Sequence, residues 1–294
     1  MTKDKKKPRL RFAPSPTGHL HIGHAASAFF TWDQAEQNPE SFLLRLEDID
    51  AARCRPEFER SIKEDLHWLE IEWKNEPRRQ SEHWEDYKKK IEILKEKELL
   101  YPCFCTRKDI LKEGEGSVAA PHGPGGSLYP GRCKNLDRGE RDDRLARGDP
   151  YALRLNMSLA IRQASGPLTW FDRGKGRQKA APEILGDVVL ARKDVPASYH
   201  LCVTHDDALQ DITLVTRGED LWEATHLHRL LQDILGYPVP EYHHHPLLLD
   251  RHGVRFAKRD RGVTLRQLKE KGFSPQDLRL MIQTRCLDRL DGYV

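Results

Sequence analysis

The chain has no apolar run approaching the roughly 20 residues that a membrane helix needs. Its first seven residues, Met1-Thr2-Lys3-Asp4-Lys5-Lys6-Lys7, are basic. No apolar stretch follows them, so they do not read as a secretory signal. Residues 1–8 are expected to be a disordered basic tail, and no membrane partner is expected. Net charge has no strong sign, since 49 Lys and Arg against 46 Asp and Glu give +3. That balance permits a nucleic-acid partner without demanding one. There is no internal repeat and no low-complexity tract, which excludes solenoid and fibrous architectures. Cysteine is sparse, six in 294 residues. Without an export signal a disulfide framework is not expected, and the expected compartment is the cytoplasm.

What is present fits a well-solvated globular protein, with 32% charged and 38% hydrophobic residues. A chain of this length buries a substantial core in one large or two modest domains. The most informative stretch is Arg11-Phe12-Ala13-Pro14-Ser15-Pro16-Thr17-Gly18 followed by His21-Ile22-Gly23-His24. Leu10, Phe12 and Ala13 read as a strand, and the prolines and Gly18 as a turn. Ala25 to Gln37 is rich in helix formers, so the histidines sit near a helix N-terminus, where free N–H groups and the dipole favour anions. Two histidines three apart are also compatible with a surface pair or a metal half-site.

Further on, Phe42-Leu43-Leu44-Arg45-Leu46 reads as a buried strand ending in Glu47-Asp48-Ile49-Asp50. Acidic residues at the C-terminal end of a strand are where open α/β sheets place ligand contacts. Pro56 opens a helix with Phe58, Ile62, Leu66 and Leu69 at helical spacing. Ser81 is the expected N-cap of a second helix. From Pro102 to about Pro150 periodicity is lost, as in an insertion. Strand patterning returns at Val188-Val189-Leu190 and at Ile212-Thr213-Leu214-Val215. Thr225 is the expected cap of a helix that Gly236 closes. His243-His244-His245 reads as a polar loop. Thr264 and Ser274-Pro275 open two short final helices.

Arg11 to His24 resembles the HIGH signature of class I aminoacyl-tRNA synthetases, in the version found in glutamyl-tRNA synthetases. Three more segments resemble the same family in order: Arg45-Leu46-Glu47-Asp48-Ile49-Asp50 with Arg53, then Tyr199 and Arg217, then Arg255-Phe256-Ala257-Lys258-Arg259. The last resembles the KMSKS signature, with Lys258 matching its second lysine and with Ala257 and Arg259 replacing its serines. The resemblance implies an α/β fold: a Rossmann-like (HUP) parallel-sheet catalytic domain, a zinc-bearing α/β insertion and a short helical C-terminal segment. The implied divisions are 9–102 and 196–245 for the two catalytic halves, 103–195 for the insertion and 246–294 for the KMSKS-like loop and helical segment. It implies ATP contacts by Pro14, Gly18, His21, Gly23, His24 and Lys258, with His21, His24 and Lys258 catalytic. It implies glutamate contacts by Arg11, Phe12, Ala13, Pro14, Ser15, Glu47, Tyr199 and Arg217. Guanidinium forks suit a carboxylate better than a neutral amide, so Arg11 and Arg217 together favour glutamate over glutamine.

Cys103, Cys105 and Cys133 supply three soft ligands where zinc wants four. General zinc chemistry favours His122 as the fourth, whereas the resemblance favours Tyr129. Only about 35 residues follow the Lys258 segment, too few for an anticodon-binding domain. The chain therefore resembles the shortened glutamyl-Q tRNA(Asp) synthetase family, which transfers glutamate to queuosine in the anticodon of tRNA(Asp). The implied partners are ATP with magnesium, L-glutamate and that tRNA, and a monomer is expected. A minimal glutamyl-tRNA synthetase, a non-catalytic RNA-binding paralogue and another nucleotidyltransferase remain as alternatives.

Overall fold

The computed structural model describes residues 7–106, 109, 122–123, 126–192, 195–249 and 263–287. Its first part alternates strand and helix: β1 (Leu10–Phe12), α1 (Ile22–Gln34), β2 (Phe42–Leu46), α2 (Pro56–Trp68), β3 (Arg78–Arg79) and α3 (Trp84–Glu96). β1, β2 and β3 pair in parallel, with Arg11 opposite Leu43 and Arg45 opposite Arg78. β1 and β2 are buried along their whole length, as parallel strands covered on both faces must be. Pro56 stands at the first position of α2, where its missing N–H costs nothing. Ser81 does not cap α3. Its N–H and hydroxyl are held instead by Asp48 at 2.8 and 2.6 Å, and the helix begins at Trp84 after His83.

The middle of the chain adds β4 (Leu100–Cys103), β5 (His122–Gly123), β6 (Gly126–Ser127), α4 (Arg138–Ala146), β7 (Ala152–Leu155), α5 (Met157–Gln163), β8 (Thr169–Asp172), β9 (Gly176–Lys179) and β10 (Val189–Arg192). β4, β7 and β10 form a separate antiparallel sheet. The β8–β9 hairpin leaves that sheet and lies along a later strand. The chain continues through α6 (Tyr199–Leu209), β11 (Leu214–Gly218), α7 (Ala224–Ile234) and β12 (Glu241–His245). These strands run in the order β11-β12-β8-β9.

Two expectations fail here for the same reason. His243-His244-His245 is not a loop but the end of β12, paired in parallel with Thr216, Arg217 and Gly218. Thr225 is not a cap but lies inside α7, fully buried, with its hydroxyl on Arg217. The three histidines carry no apolar strand pattern, and the Thr225 hydroxyl, suited to a cap, is taken by Arg217. Both are held by polar partners that the fold brings from elsewhere.

β1 and β11 are neighbours. The N–H groups of Thr213 and Leu214 donate to the Arg9 carbonyl at 2.9 and 3.3 Å. The chain order runs outward from β1 through β2 to β3, and on the other side from β11 to β12. Their junction is a topological switch point, the place where open α/β sheets bind ligands. Two final helices, α8 (Leu265–Glu270) and α9 (Pro275–Thr284), start with capping boxes at Thr264 and Ser274, as expected. They bury Leu265, Leu268, Leu278 and Met281 in the core beneath β1 and β2. The Leu265 N–H donates to the Leu20 carbonyl at 2.8 Å, so α8 is tied to the loop before α1. Among the described residues, no helix is long and apolar enough to cross a membrane.

Candidate active site

The switch point opens into a cavity of about 750 Å³. Its wall brings together Arg11, Phe12, Ala13, Pro14, Ser15, Gly18, His21, Gly23, His24, Glu47, Tyr199 and Arg217. Lys258 lies outside the described residues.

His21 is the N-cap of α1 and His24 stands three residues on. The Gly23 N–H donates to His21 Nδ1 at 3.1 Å, and the His21 N–H donates to His24 Nδ1 at 3.2 Å. Since each Nδ1 accepts, each neutral ring carries its proton on Nε2. Burial lowers both pKa values; in His24, burial and then His21 take it to about 3. The pair therefore presents neutral N–H donors at a helix start, where the dipole favours anions. Glycine at position 23 suits the same contact, because a Cβ there would crowd the His21 ring at 3.0 Å.

The acidic run after β2 divides its labour. Asp48 holds Ser81, Asp50 pairs with Arg53 at the surface, and Glu47 turns into the cavity. Burial raises the Glu47 carboxyl, while Arg45 and Arg11 oppose it. Two residues to which the sequence assigned no role organise this wall. Arg45 is fully buried, with Nη2 2.8 Å from Asp207 and 3.4 Å from Glu47. Asp207 grips Arg11 at Nε and Nη2, 2.8 and 3.2 Å away. Burial pushes the Asp207 carboxyl up, but Arg11 and Arg45 overcome this and hold it below its usual value. Asp206-Asp207 on α6, beside buried Leu201, Cys202 and Val203, was the available signal: adjacent carboxylates on a buried helix need cationic partners.

Arg217 is buried in a different setting. Its Nε donates to His244 Nε2 at 3.1 Å, its Nη1 to His228 Nδ1 at 3.2 Å and its Nη2 to Thr225 Oγ1 at 2.6 Å. These acceptors are neutral. Burial, and after it the guanidinium, lowers His244 and His200 to about 4 and His228 well below its ordinary value. Among the described residues, no carboxylate reaches ion-pair distance of Arg217. Arg11 already has its counter-charge; Arg217 has hydrogen-bond partners but no anion. A buried cation in that state favours an anionic ligand.

Outside the cavity, Cys103, Cys105 and Cys133 place their sulfurs within 4.8 Å of one another. Cys105 Sγ is 3.4 Å from Cys133 Sγ and 3.7 Å from the Tyr129 hydroxyl, which also accepts the Cys133 N–H at 2.8 Å. Three thiols and a phenol converging on one point fit a soft divalent cation. The His122 side chain lies outside the described residues.

A family model described as "tRNA synthetases class I (E and Q), catalytic domain" matches residues 7–289. The chain belongs to this family. It has the class I synthetase catalytic fold and is a ligase of the aminoacyl-tRNA synthetase kind. It is similar to the glutamyl-Q tRNA(Asp) synthetase of Rhodobacter capsulatus, 44% identical over 92% of this chain and 98% of that one. It is also similar to the glutamate–tRNA ligase of Aquifex aeolicus, 36% identical over 92% of this chain. The chain spans 56% of that longer relative. Among solved structures it resembles the glutamate tRNA ligase from Elizabethkingia meningosepticum in complex with its amino acid. There the TM-score is 0.69 at 29% identity, over 91% of this chain and 54% of the other.

Proposed function

We propose that the protein activates L-glutamate with ATP and transfers it to queuosine in the anticodon of tRNA(Asp). The observation that carries the glutamate half is Arg217, a buried guanidinium in the cavity wall that meets no carboxylate among the described residues. In this reading it receives the substrate side-chain carboxylate, while Glu47 takes the α-amino group and Tyr199 closes the pocket. Arg11, with its Nε and Nη2 committed to Asp207 and its Nη1 to the Thr216 carbonyl, shapes the wall and keeps two of its five N–H donors. The side-chain carboxylate thus falls mainly to Arg217.

ATP lies along Pro14, Gly18 and Gly23, its phosphates at the start of α1. An α-carboxylate oxygen attacks the α-phosphorus, the bond to the β-phosphate oxygen breaks, and pyrophosphate leaves. His21 and His24 donate Nε2–H to the charge that develops there, as positioned dipoles rather than cations. Lys258, outside the described residues, and magnesium, which accompanies ATP in class I synthetases, would supply positive charge to the departing pyrophosphate. A second cavity of about 490 Å³ shares Ser15, Thr17, Glu47 and Tyr199 with the first. It gives an acceptor nucleoside a path to the acyl carbon that does not cross the phosphates. A queuosine hydroxyl attacks there and AMP leaves.

The queuosine half rests on likeness to the Rhodobacter relative along nearly all of that protein. Incubation with ATP, labelled glutamate and either tRNA(Asp) or tRNA(Glu) is expected to label queuosine-containing tRNA(Asp) alone. Label on tRNA(Glu) instead favours a minimal glutamyl-tRNA synthetase. Glutamate-dependent pyrophosphate exchange is expected without RNA.

The cysteine cluster would hold one structural zinc through Cys103, Cys105, Tyr129 and Cys133, cross-linking β4 to the turn near Cys133. Metal analysis is expected to find one zinc per chain in the wild type and none in C133S, with a Tm lower by several degrees. A full zinc complement in Y129F would remove Tyr129 from the ligand set.

A further inference from the structure

We propose that Asp172 and His244 are positioning residues for Arg217, holding its guanidinium in the one orientation that can receive a substrate's side-chain carboxylate. The proposal rests on the reading of Arg217 given above. Asp172 ends β8 and His244 lies on β12, and both side chains are wholly shielded from solvent. Asp172 Oδ1 accepts the N–H groups of Gly174 and Lys175 at 2.9 and 3.0 Å. Its Oδ2 accepts the His244 N–H at 3.2 Å and faces His244 Nδ1 at 2.7 Å.

A carboxylate surrounded by that many donors is ionised and can only accept. The proton of the neutral His244 ring must then sit on Nδ1, which leaves Nε2 bare. That lone pair faces Arg217 Nε at 3.1 Å and Thr225 Oγ1 at 3.3 Å. The other tautomer would set N–H against N–H. A second arm has the same form. His228 Nδ1 accepts from Arg217 Nη1, so its remaining N–H points to His200 Nδ1 at 3.1 Å. The Tyr242 ring, 5.3 Å below the guanidinium carbon, closes the floor.

The contrast with Arg11 gives the arrangement its purpose. A carboxylate placed directly on Arg217, as Asp207 is on Arg11, would orient it and also cancel its charge. Interposing a neutral imidazole keeps Asp172 one ring away. The guanidinium is oriented without being neutralised, so its charge and two outward N–H groups remain for the ligand. Such preorganisation raises affinity by removing the cost of ordering the side chain on binding.

The test is glutamate-dependent pyrophosphate exchange with H244L, H244Q and D172N. H244L is expected to raise the KM for glutamate by about 10-fold or more, the scale of one hydrogen bond to a charged group. The KM for ATP should stay within about twofold. H244Q puts an amide oxygen where Nε2 was and is expected to recover most of the loss. D172N, which no longer dictates the tautomer, should fall between. An unchanged glutamate KM in H244L overturns the proposal. So do equal losses for both substrates, or H244Q behaving like H244L. Should H244L fail to fold, ¹⁵N NMR of the wild type decides, with the His244 signals assigned by difference from H244Q. A proton on Nδ1 supports the relay and one on Nε2 refutes it. Wild-type protein that shows no glutamate-dependent exchange would defeat the functional reading, while the tautomer measurement would still judge the relay.

Discussion

R217A is expected to raise the KM for glutamate in pyrophosphate exchange by about 100-fold or more while leaving the KM for ATP nearly unchanged. Removing one partner from a buried charge pair typically costs about 3–5 kcal/mol, or two to four decades. Here the lost partner belongs to the enzyme and the stranded charge to the substrate. Among the described residues Arg217 makes its hydrogen bonds to neutral acceptors, so its removal strands no carboxylate among them. R217A should therefore fold, and the loss should appear in substrate binding. R217K should not rescue it, because an ammonium cannot serve His244, His228, Thr225 and a carboxylate from one planar fork. R11A behaves differently in this account. It strands Asp207 against Arg45 alone, so it should lower the Tm as well as activity. Equal effects of R217A on glutamate and ATP, or none on glutamate, would refute the assignment.

The second large effect is acid lability. His24 is held down to about 3 and His200 and His244 to about 4, with His228 well below its usual value. Burial is the first cause in each. In the unfolded chain these rings titrate near 6.5. As pH falls below that value the unfolded state takes up protons that the folded state refuses, so stability falls. The stabilisation is complete above pH 6.5 and is lost progressively toward pH 4. Each strongly shifted ring costs on the order of 1–2 kcal/mol of stability by pH 5. Together they are a large part of an ordinary domain's total of about 5–15 kcal/mol. Asp65, raised by burial to about 6, acts in the opposite direction over the same window, as does the raised Glu47. They are outnumbered. The urea midpoint is expected to drop sharply between pH 7.5 and pH 5 with little change in slope. A flat midpoint over that range would show that these histidines do not remain neutral in the folded protein.

Much of this protein was readable without a structure, and the readable parts share a cause. Pro56 at a first helical position, Thr264 and Ser274 as caps and Gly236 as a terminator, at φ of +67°, are matters of local backbone chemistry. They need nothing beyond a few neighbouring residues. The strand, turn and helix from Leu10 to His24 are of the same kind. So is the burial of β2, whose apolar run ends where the acids begin. Ser81 and Thr225 do not cap their helices because their hydroxyls, each well suited to a local cap, meet stronger partners in Asp48 and Arg217.

The sequence by itself determined that a phosphate-friendly helix start exists, that an acid follows the second strand, and that two arginines suit a carboxylate. Tertiary structure decided which arginine has charge to spare. Asp207 reaches Arg11 across 196 residues of chain, and nothing near Arg11 announces it. His244 reaches Arg217 only because β12 lies beside β11 in one particular register, and Asp172 reaches His244 only because the β8–β9 hairpin joins that edge. Three consecutive histidines carry no strand signal of their own. Their place is set by pairing and burial, which are sums over partners distant in sequence, and so the charge state at the bottom of the site is a property of the fold.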